Sequence, residues 1–596
     1  DLAQGVFLAY ARELRFSDQR TFSFKLMKQF PKNKKYYFWA AASYVQQIST
    51  EDLQPKNINL IMASRTLEKA EKEFSITNPE ELLLMINVYE FMENFTSCLE
   101  LIEKYSSLFK LPGQSQDLLA KYHMKLKNYD SAQVLYKELL IDFKIDNWFY
   151  LQCYIECKCK GEAITSEIVD DVRGVLATME SNGKPSVPLR SVHLGRVQLT
   201  QLQFKANNSD EMVNEFQNSL VSYLTTFGSK PVCFRDAKLF MDSLPLKEAK
   251  KVCESYAEII KQETENSEEL TVKDVYRRVL LEQLKTKYEF YCNLDAQQTN
   301  DLAEEYLAFY QRALEIPSAA SITETERQYA DDLILLSVHL YIDLYLRNGA
   351  SADLVRALSI AITGWEKSKF NFNIKIVAMR VYCLLGALRP SFEFFKSLDA
   401  KHIQMDTLSH ILLDDAISLR IPDCTESLVF SMERSYSDSA REMPELITYP
   451  YTKESYSRAR EFRDFNEKVL NSTQRSVHNV EYSIHEFLTK ATPAEALEDI
   501  KFTEEKVLYK DEDVEKLYET ADNSFWDNWH SFSQLSSPFI TSCATTLLGN
   551  EERLKLVIAR GNLFHLSKAI LDNEPELAKD FFARFQSAYE AVNFDE

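Results

Sequence analysis

The sequence predicts an all-α fold: a tetratricopeptide-like helical-repeat superhelix, or α-solenoid, with a helical C-terminal region. Three observations carry that expectation. Only 12 glycines and 16 prolines punctuate 596 residues, and the segments between them space apolar residues three and four apart, the period of one helix face. The length exceeds what a single hydrophobic core usually supports, so several domains or a stacked array is required. Finally, a pattern of aromatic and small residues recurs at an offset of 34, the tetratricopeptide period.

Composition limits the function classes. With 45% apolar and 27% charged residues, the chain suits a large buried surface and a solvated exterior. Its longest apolar runs, such as "FWAAASYV" at 38–45, fall short of the ~18 residues a bilayer span needs, so no membrane association is expected. The net charge of −21 repels phosphate and argues against general nucleic-acid binding. Ten cysteines at irregular spacing do not resemble a disulfide framework, which points to a reducing, cytoplasmic setting. The chain opens at Asp1 with neither a methionine nor a signal-peptide pattern, so its true start is expected to be missing.

Near the N-terminus the charge balance reverses. Residues 19–50 contain no Asp or Glu, although 90 acids in 596 residues lead one to expect about five there. The same window carries Arg20, Lys25, Lys28, Lys32, Lys34 and Lys35. Screening over ~8 Å lets such a patch attract phosphate despite acids elsewhere. It reads either as a solvated helix face with a basic turn or as a patch facing RNA.

The repeats come next. Laying "NVYEFMENFTSCLELIEKY" (87–105) over "KYHMKLKNYDSAQVLYKEL" (121–139) puts Phe95 on Tyr129, Cys98 on Ala132 and Ile102 on Tyr136. An aromatic opening the second helix, with a small residue three positions later, lets two helices approach. Leu119 and Ala120 take the large and small places of a first helix. In "VAMRVYCLLGALRPSFEFFKSL" (377–398), Tyr382 ends a helix, Gly386 makes the turn, and Ser391 and Phe395 take the small and aromatic places of the next.

Breaks divide the chain into four parts. Residues 1–200 read as helix pairs closing near "SNGKPSVPL" (181–189), 201–325 as longer helices, and 326–424 as tight pairs again. The region 425–596 begins with "SYSDSAREMPELITYPYTKES" (435–455), expected to wrap over a surface as irregular chain, and becomes helical from about 455.

A search for chemistry finds no complete constellation. No glycine lies in GxGxxG or GxxxxGK[ST], and none fits the acetyl-CoA pyrophosphate loop of the common acetyltransferase fold. The stretch "TTFGSKPVCFRDAKLFM" (225–241) reads as a helix end at Gly228 followed by a joint. Cys233 has Lys230 and Arg235 nearby but no histidine between His193 and His339, so it reads as a buried structural cysteine. Cys153, Cys157 and Cys159 lack a fourth zinc ligand at metal spacing. The carboxylate pairs Asp331/Asp332 and Asp414/Asp415 read as solvated or paired with bases. No metal, no cofactor and no enzyme activity are expected of this chain.

Three stretches point to a family. "FPKNKKYYFWAAASYV" (30–45), "FGSKPVCFRDAKLFM" (227–241) and above all "KHIQMDTLSH" (401–410) resemble the auxiliary, non-catalytic subunit of the NatB N-terminal acetyltransferase complex, of fungal type. The repeat positions alone would also fit the sister NatA auxiliary subunit or another helical adaptor. The resemblance implies a scaffold that wraps and stabilises a small catalytic acetyltransferase-fold subunit, with acetyl-CoA and the catalytic groups in that partner. It further implies acetylation of nascent chains beginning Met-Asp, Met-Glu, Met-Asn or Met-Gln, and positioning near the ribosomal exit tunnel, where the basic window finds a use. Arg380, Tyr382, Gln404, Asp406 and His410 are the candidate partner contacts: for Gln404, Asp406 and His410 a network holding two repeats in register is the equal alternative, and for Tyr382, which flanks the same groove with Arg380, core packing is the leading one.

Overall fold

An antiparallel helix pair cannot cover its apolar faces alone, so neighbouring pairs must stack. In the computed structural model, which describes residues 2–49, 52–184, 187–265, 269–418, 422–489, 507, 516–522 and 550–590, this is how the chain is built. Among the described residues no strand forms, and the one β-type contact is an isolated bridge between Ser472 and Tyr518.

The expected repeat positions hold. Phe95 and Tyr129 open the helices Phe95–Lys104 and Tyr129–Ile141. Their first-helix partners are Pro79–Phe91 and Gln114–Lys125. Cys98, Ile102, Ala120 and Ala132 are fully buried, as is Ser391 of the pair Phe372–Leu384 and Leu388–Ser397. Each of the three turns has a left-handed residue two positions before the second helix: Glu93 (φ 54°), Lys127 (φ 58°) and Gly386 (φ 71°). Only glycine takes that conformation without a Cβ clash. Lys127→Gly is therefore expected to stabilise the chain by about 0.5–1 kcal/mol, net of the glycine's larger unfolded-state entropy, and Gly386→Ala to destabilise it by a similar amount. Urea denaturation of the two variants checks the opposite signs.

The chain forms two compact units: Asp1–Thr226 with Ala440–Glu467, and Phe227–Ser439 with Lys468–Glu596. The segment 440–467 thus packs with the N-terminal pairs, although the sequence suggested one C-terminal region. Phe7, Phe38 and Trp39 form the heart of the first unit's core. Tyr451 packs edge-on against Phe7, and Tyr456 stacks on Phe38 with centroids 5.7 Å apart. The buried Gln46 donates to Ala459 O (2.9 Å) and accepts from the Tyr451 hydroxyl. Asn87 donates to Ser457 O (3.2 Å), and the Ser457 hydroxyl donates to Glu80 (2.6 Å).

The expectation of irregular chain at 435–455 is overturned, because one helix runs Pro422–Thr452 through Pro444 and Pro450. An interior proline costs about 3 kcal/mol. Opposing that is an apolar stripe at four-residue spacing: Cys424, Leu428, Met432 and Tyr436 are buried in the second unit, and Met443, Ile447 and Tyr451 in the first. Each large side chain so buried contributes about 1.5–3 kcal/mol. The end of this helix lies on the N-terminal core.

Beyond it follow Ala459–Leu470, Thr473–Thr489, Asn550–Leu571 and Pro575–Glu590. Most of the expected helical patterning between 490 and 549 lies outside the described residues. The stretch 225–241 is a joint, as read: Asp210–Phe227 ends before Gly228, and Cys233–Met241 begins after Val232.

The second unit contains a buried ionic network. Glu282, with no exposed surface, accepts from the hydroxyls of Tyr306 (2.8 Å) and Tyr291 (2.5 Å) and pairs with Arg278 (2.9 Å) and Lys285 (3.2 Å). It ties Val272–Lys287 to Ala296–Leu314.

Candidate functional site

The sequence-predicted contacts separate into buried and exposed groups. Arg380 lies inside the second unit and pairs with Asp415 at 3.0 Å, both nearly inaccessible. Asp406, 2% exposed, accepts from Tyr436 (2.7 Å) and from the Ser472 hydroxyl. His410 is 1% exposed. Arg380 and Asp406 tie the fold through these bonds, and all three side chains lie beneath the surface. Gln404 is exposed and accepts from its neighbour Lys401 N (3.3 Å). Tyr382 is half-buried against Phe394, centroids 5.9 Å apart.

The basic window divides in the same way. Lys34 is taken up by Glu81 (2.7 Å), which caps the helix Pro79–Phe91. Lys35 lies over the Trp39 ring and 3.9 Å from Glu454. Arg20 donates to Gln47 (2.7 Å) and stacks on Tyr44. Lys25, Lys28 and Lys32 remain exposed.

The cysteines sit as structural groups. Cys153 and Cys157 are buried, and burial pushes the Cys157 thiol up to about 12, far from a thiolate ligand. Among the described residues no group of three or more His, Cys, Asp or Glu could hold a metal ion. No helix among them is long and apolar enough to cross a membrane.

The face that sequence reading missed is built by first helices. In the second unit Cys233–Met241, Val272–Lys287, Asp331–Asn348 and Phe372–Leu384 lie side by side in chain order. All four contribute to one cavity of about 340 Å³. Tyr276, Leu280 and Gln283 reach it from successive turns of one helix face. Lys230 comes from the joint, Arg235 from the first turn of Cys233–Met241, and Arg327 from the loop before Asp331. Arg327 lies 4.6 Å over the Phe372 ring, and Tyr276 and Tyr329 meet edge-on at 5.8 Å. Gln283 donates to Asp332 (3.1 Å).

Asp331 anchors this wall. Its carboxylate accepts from Asn371 (2.8 Å), Gln328 N (3.2 Å) and Tyr310 (3.3 Å). Burial pushes its pKa from 3.8 to about 6, against the opposing pull of the Asn371 amide. The unfolded chain loses that proton near 3.8 while the folded chain keeps it to about 6, so the stabilisation is full below 3.8 and lost as pH rises through about 6. The stability of the wild type relative to Asp331→Asn is expected to fall by about 3 kcal/mol between pH ~4 and ~7. Urea denaturation at the two pH values measures it.

A second cavity of about 680 Å³ lies on the second-helix side, between Trp365, Phe392, Phe394 and Cys424. The Arg389–Asp423 ion pair (2.9 Å) closes its edge.

Comparison with known proteins places this architecture. The family described as the N-acetyltransferase B complex (NatB) non catalytic subunit matches residues 148–530, and the family described as Psidin, N-terminal TPR repeats region, matches residues 1–140. The N-alpha-acetyltransferase 25, NatB auxiliary subunit, of Rattus norvegicus is 27% identical over 554 residues, covering 88% of this chain and 56% of the relative. The chain thus spans little more than half the length of that relative. A chain in the structure of the NatB acetyltransferase complex bound to a bisubstrate inhibitor superposes with a TM-score of 0.61 at 16% identity, covering 98% of this chain and 75% of that one. A chain in the structure of Naa15/Naa10 bound to HypK-THB does so with a TM-score of 0.57 at 12% identity, covering 100% and 78%. Likeness at such identities speaks for the fold alone.

Proposed function

The chain belongs to the family of NatB complex non-catalytic subunits, and on that premise we propose that it is the scaffold on which a small catalytic acetyltransferase subunit is held and stabilised. The single observation that carries this is the family match over 148–530, which includes the four side-by-side first helices of the second unit. A stack of helix pairs offers an extended binding face of this kind. Acetyl-CoA and the reacting groups belong to the partner, and the nascent chains begin Met-Asp, Met-Glu, Met-Asn or Met-Gln. Gln404 and Tyr382 are the sequence-predicted contacts that a partner can still reach. Copurification of the tagged chain from its own cells, read by mass spectrometry, tests the reading. A small acetyltransferase-fold protein at near-equal amount is expected, and its absence contradicts the proposal.

Positioning of the complex at the ribosome in the cytoplasm is the second part of the reading. Lys25, Lys28 and Lys32 support it, being exposed cations in a window without acids. Reversing all three to Glu is expected to weaken ribosome cosedimentation and flatten its dependence on salt. Unchanged cosedimentation reduces the patch to solvated surface.

A further inference from the structure

We infer that the 340 Å³ cavity on the first-helix face is a docking site for an acidic peptide segment of a separate polypeptide. The inference goes beyond the scaffold reading, which assigns the cavity no occupant. Its rim comes first. Lys230 and Arg235 are exposed and make no ion pair among the described residues, and Arg327 adds a third cation, in a chain whose net charge is −21. Lys230 and Arg235, with Arg327 beside them, give this rim a local positive charge in an acidic chain, which attracts carboxylates over a Debye length.

The interior asks for something else. Gln328 Oε1 is buried there with no hydrogen-bond partner among the described residues, and the Asp332 carboxylate lies beneath Arg327. A buried acceptor left unmet is unfavourable, and only an N–H or O–H donor can satisfy it. The Tyr276–Tyr329 pair and Phe234 supply apolar walls. Inorganic phosphate answers the rim and leaves the apolar walls uncovered. A peptide answers both, since acidic side chains meet the cations while its backbone N–H groups reach the acceptors. A nucleic-acid strand would bring a phosphate at every step toward Asp332, which opposes it.

The test uses the 596-residue chain and a fluorescein-labelled decapeptide of alternating Glu and Tyr, read by anisotropy. Binding is expected, together with at least tenfold weakening in the Lys230→Glu/Arg235→Glu double variant and a smaller loss in Gln328→Leu. An otherwise equal Lys–Tyr peptide should not bind. Both rim residues are exposed, so thermal melts of the double variant should match the wild type. Displacement of the probe by inorganic phosphate at low millimolar concentration, or equal competition by a single-stranded RNA decamer, overturns the peptide assignment. Absent probe binding, or binding indifferent to the double variant, overturns the site. Copurification of the catalytic subunit with the double variant is expected to persist, so loss of the probe and loss of the scaffold role remain separate results.

Discussion

Glu282→Ala is expected to lower the stability of the second unit by about 3–5 kcal/mol, the penalty for breaking a buried ion pair from one side. Glu282 is wholly inaccessible, accepts from two phenols and one ammonium, and pairs with one guanidinium. Its removal leaves four donors converging on a space with no acceptor. The Tyr306 hydroxyl is the most affected, because it is 1% exposed and has no route to bulk water. Glu282→Gln keeps an acceptor and loses the charge, so a smaller loss is expected. Urea denaturation followed by circular dichroism ranks the two. Equal losses would mean that packing rather than the ionic network dominates here.

Asp406→Ala is expected to cost about 3 kcal/mol, and to do so without weakening partner capture by the molecules that remain folded. Asp406 bridges Ile403–Leu408 to Tyr436 on Pro422–Thr452 and to Ser472 at the start of Thr473–Thr489. A short peptide crosses the same place: Tyr518 N donates to Asn471 O (2.8 Å), Thr473 N to Tyr518 O (3.0 Å) and Asp522 N to Thr407 O (2.9 Å). Loss of the carboxylate leaves the buried Tyr436 and Ser472 hydroxyls facing an apolar methyl group, each unmet donor costing about 1–3 kcal/mol. The measurement pairs a denaturation curve with partner titration at a temperature where the variant is still folded. Normal stability with weakened capture would restore Asp406 as a direct contact.

How far the fold is legible depends on the range of the interactions that set it. The pairs around Phe95, Tyr129 and Gly386 are local: an aromatic, a small residue and a left-handed turn lie within ten positions, so periodicity reveals them. The helix Pro422–Thr452 was hidden by its two prolines, although the stripe Cys424, Leu428, Met432, Tyr436 was present in the letters. Tertiary burial outweighed local propensity there. The return of 440–467 to the N-terminal unit depends on contacts such as Gln46 with Ala459, some four hundred residues apart, which no local pattern encodes.

The candidate site was less legible for the same reason. Asp406 looked like a displayed polar group because its partners, Tyr436 and Ser472, lie far along the chain. Lys34 looked like free charge until Glu81 met it. Lys230 and Arg235 were visible as neighbours of Cys233, yet their role at a cavity depends on Arg327 and Tyr276, which only the stacking of first helices brings near.

The most direct test of the scaffold account is reconstitution. Rates of acetyl transfer from acetyl-CoA to a Met-Asp peptide should be compared for this chain alone, for the small acetyltransferase subunit alone, and for the two coexpressed. The account predicts no transfer by this chain alone, weak transfer by an unstable partner alone, and a large gain for the pair. Transfer by this chain alone, or a partner equally stable and active without it, would contradict the account.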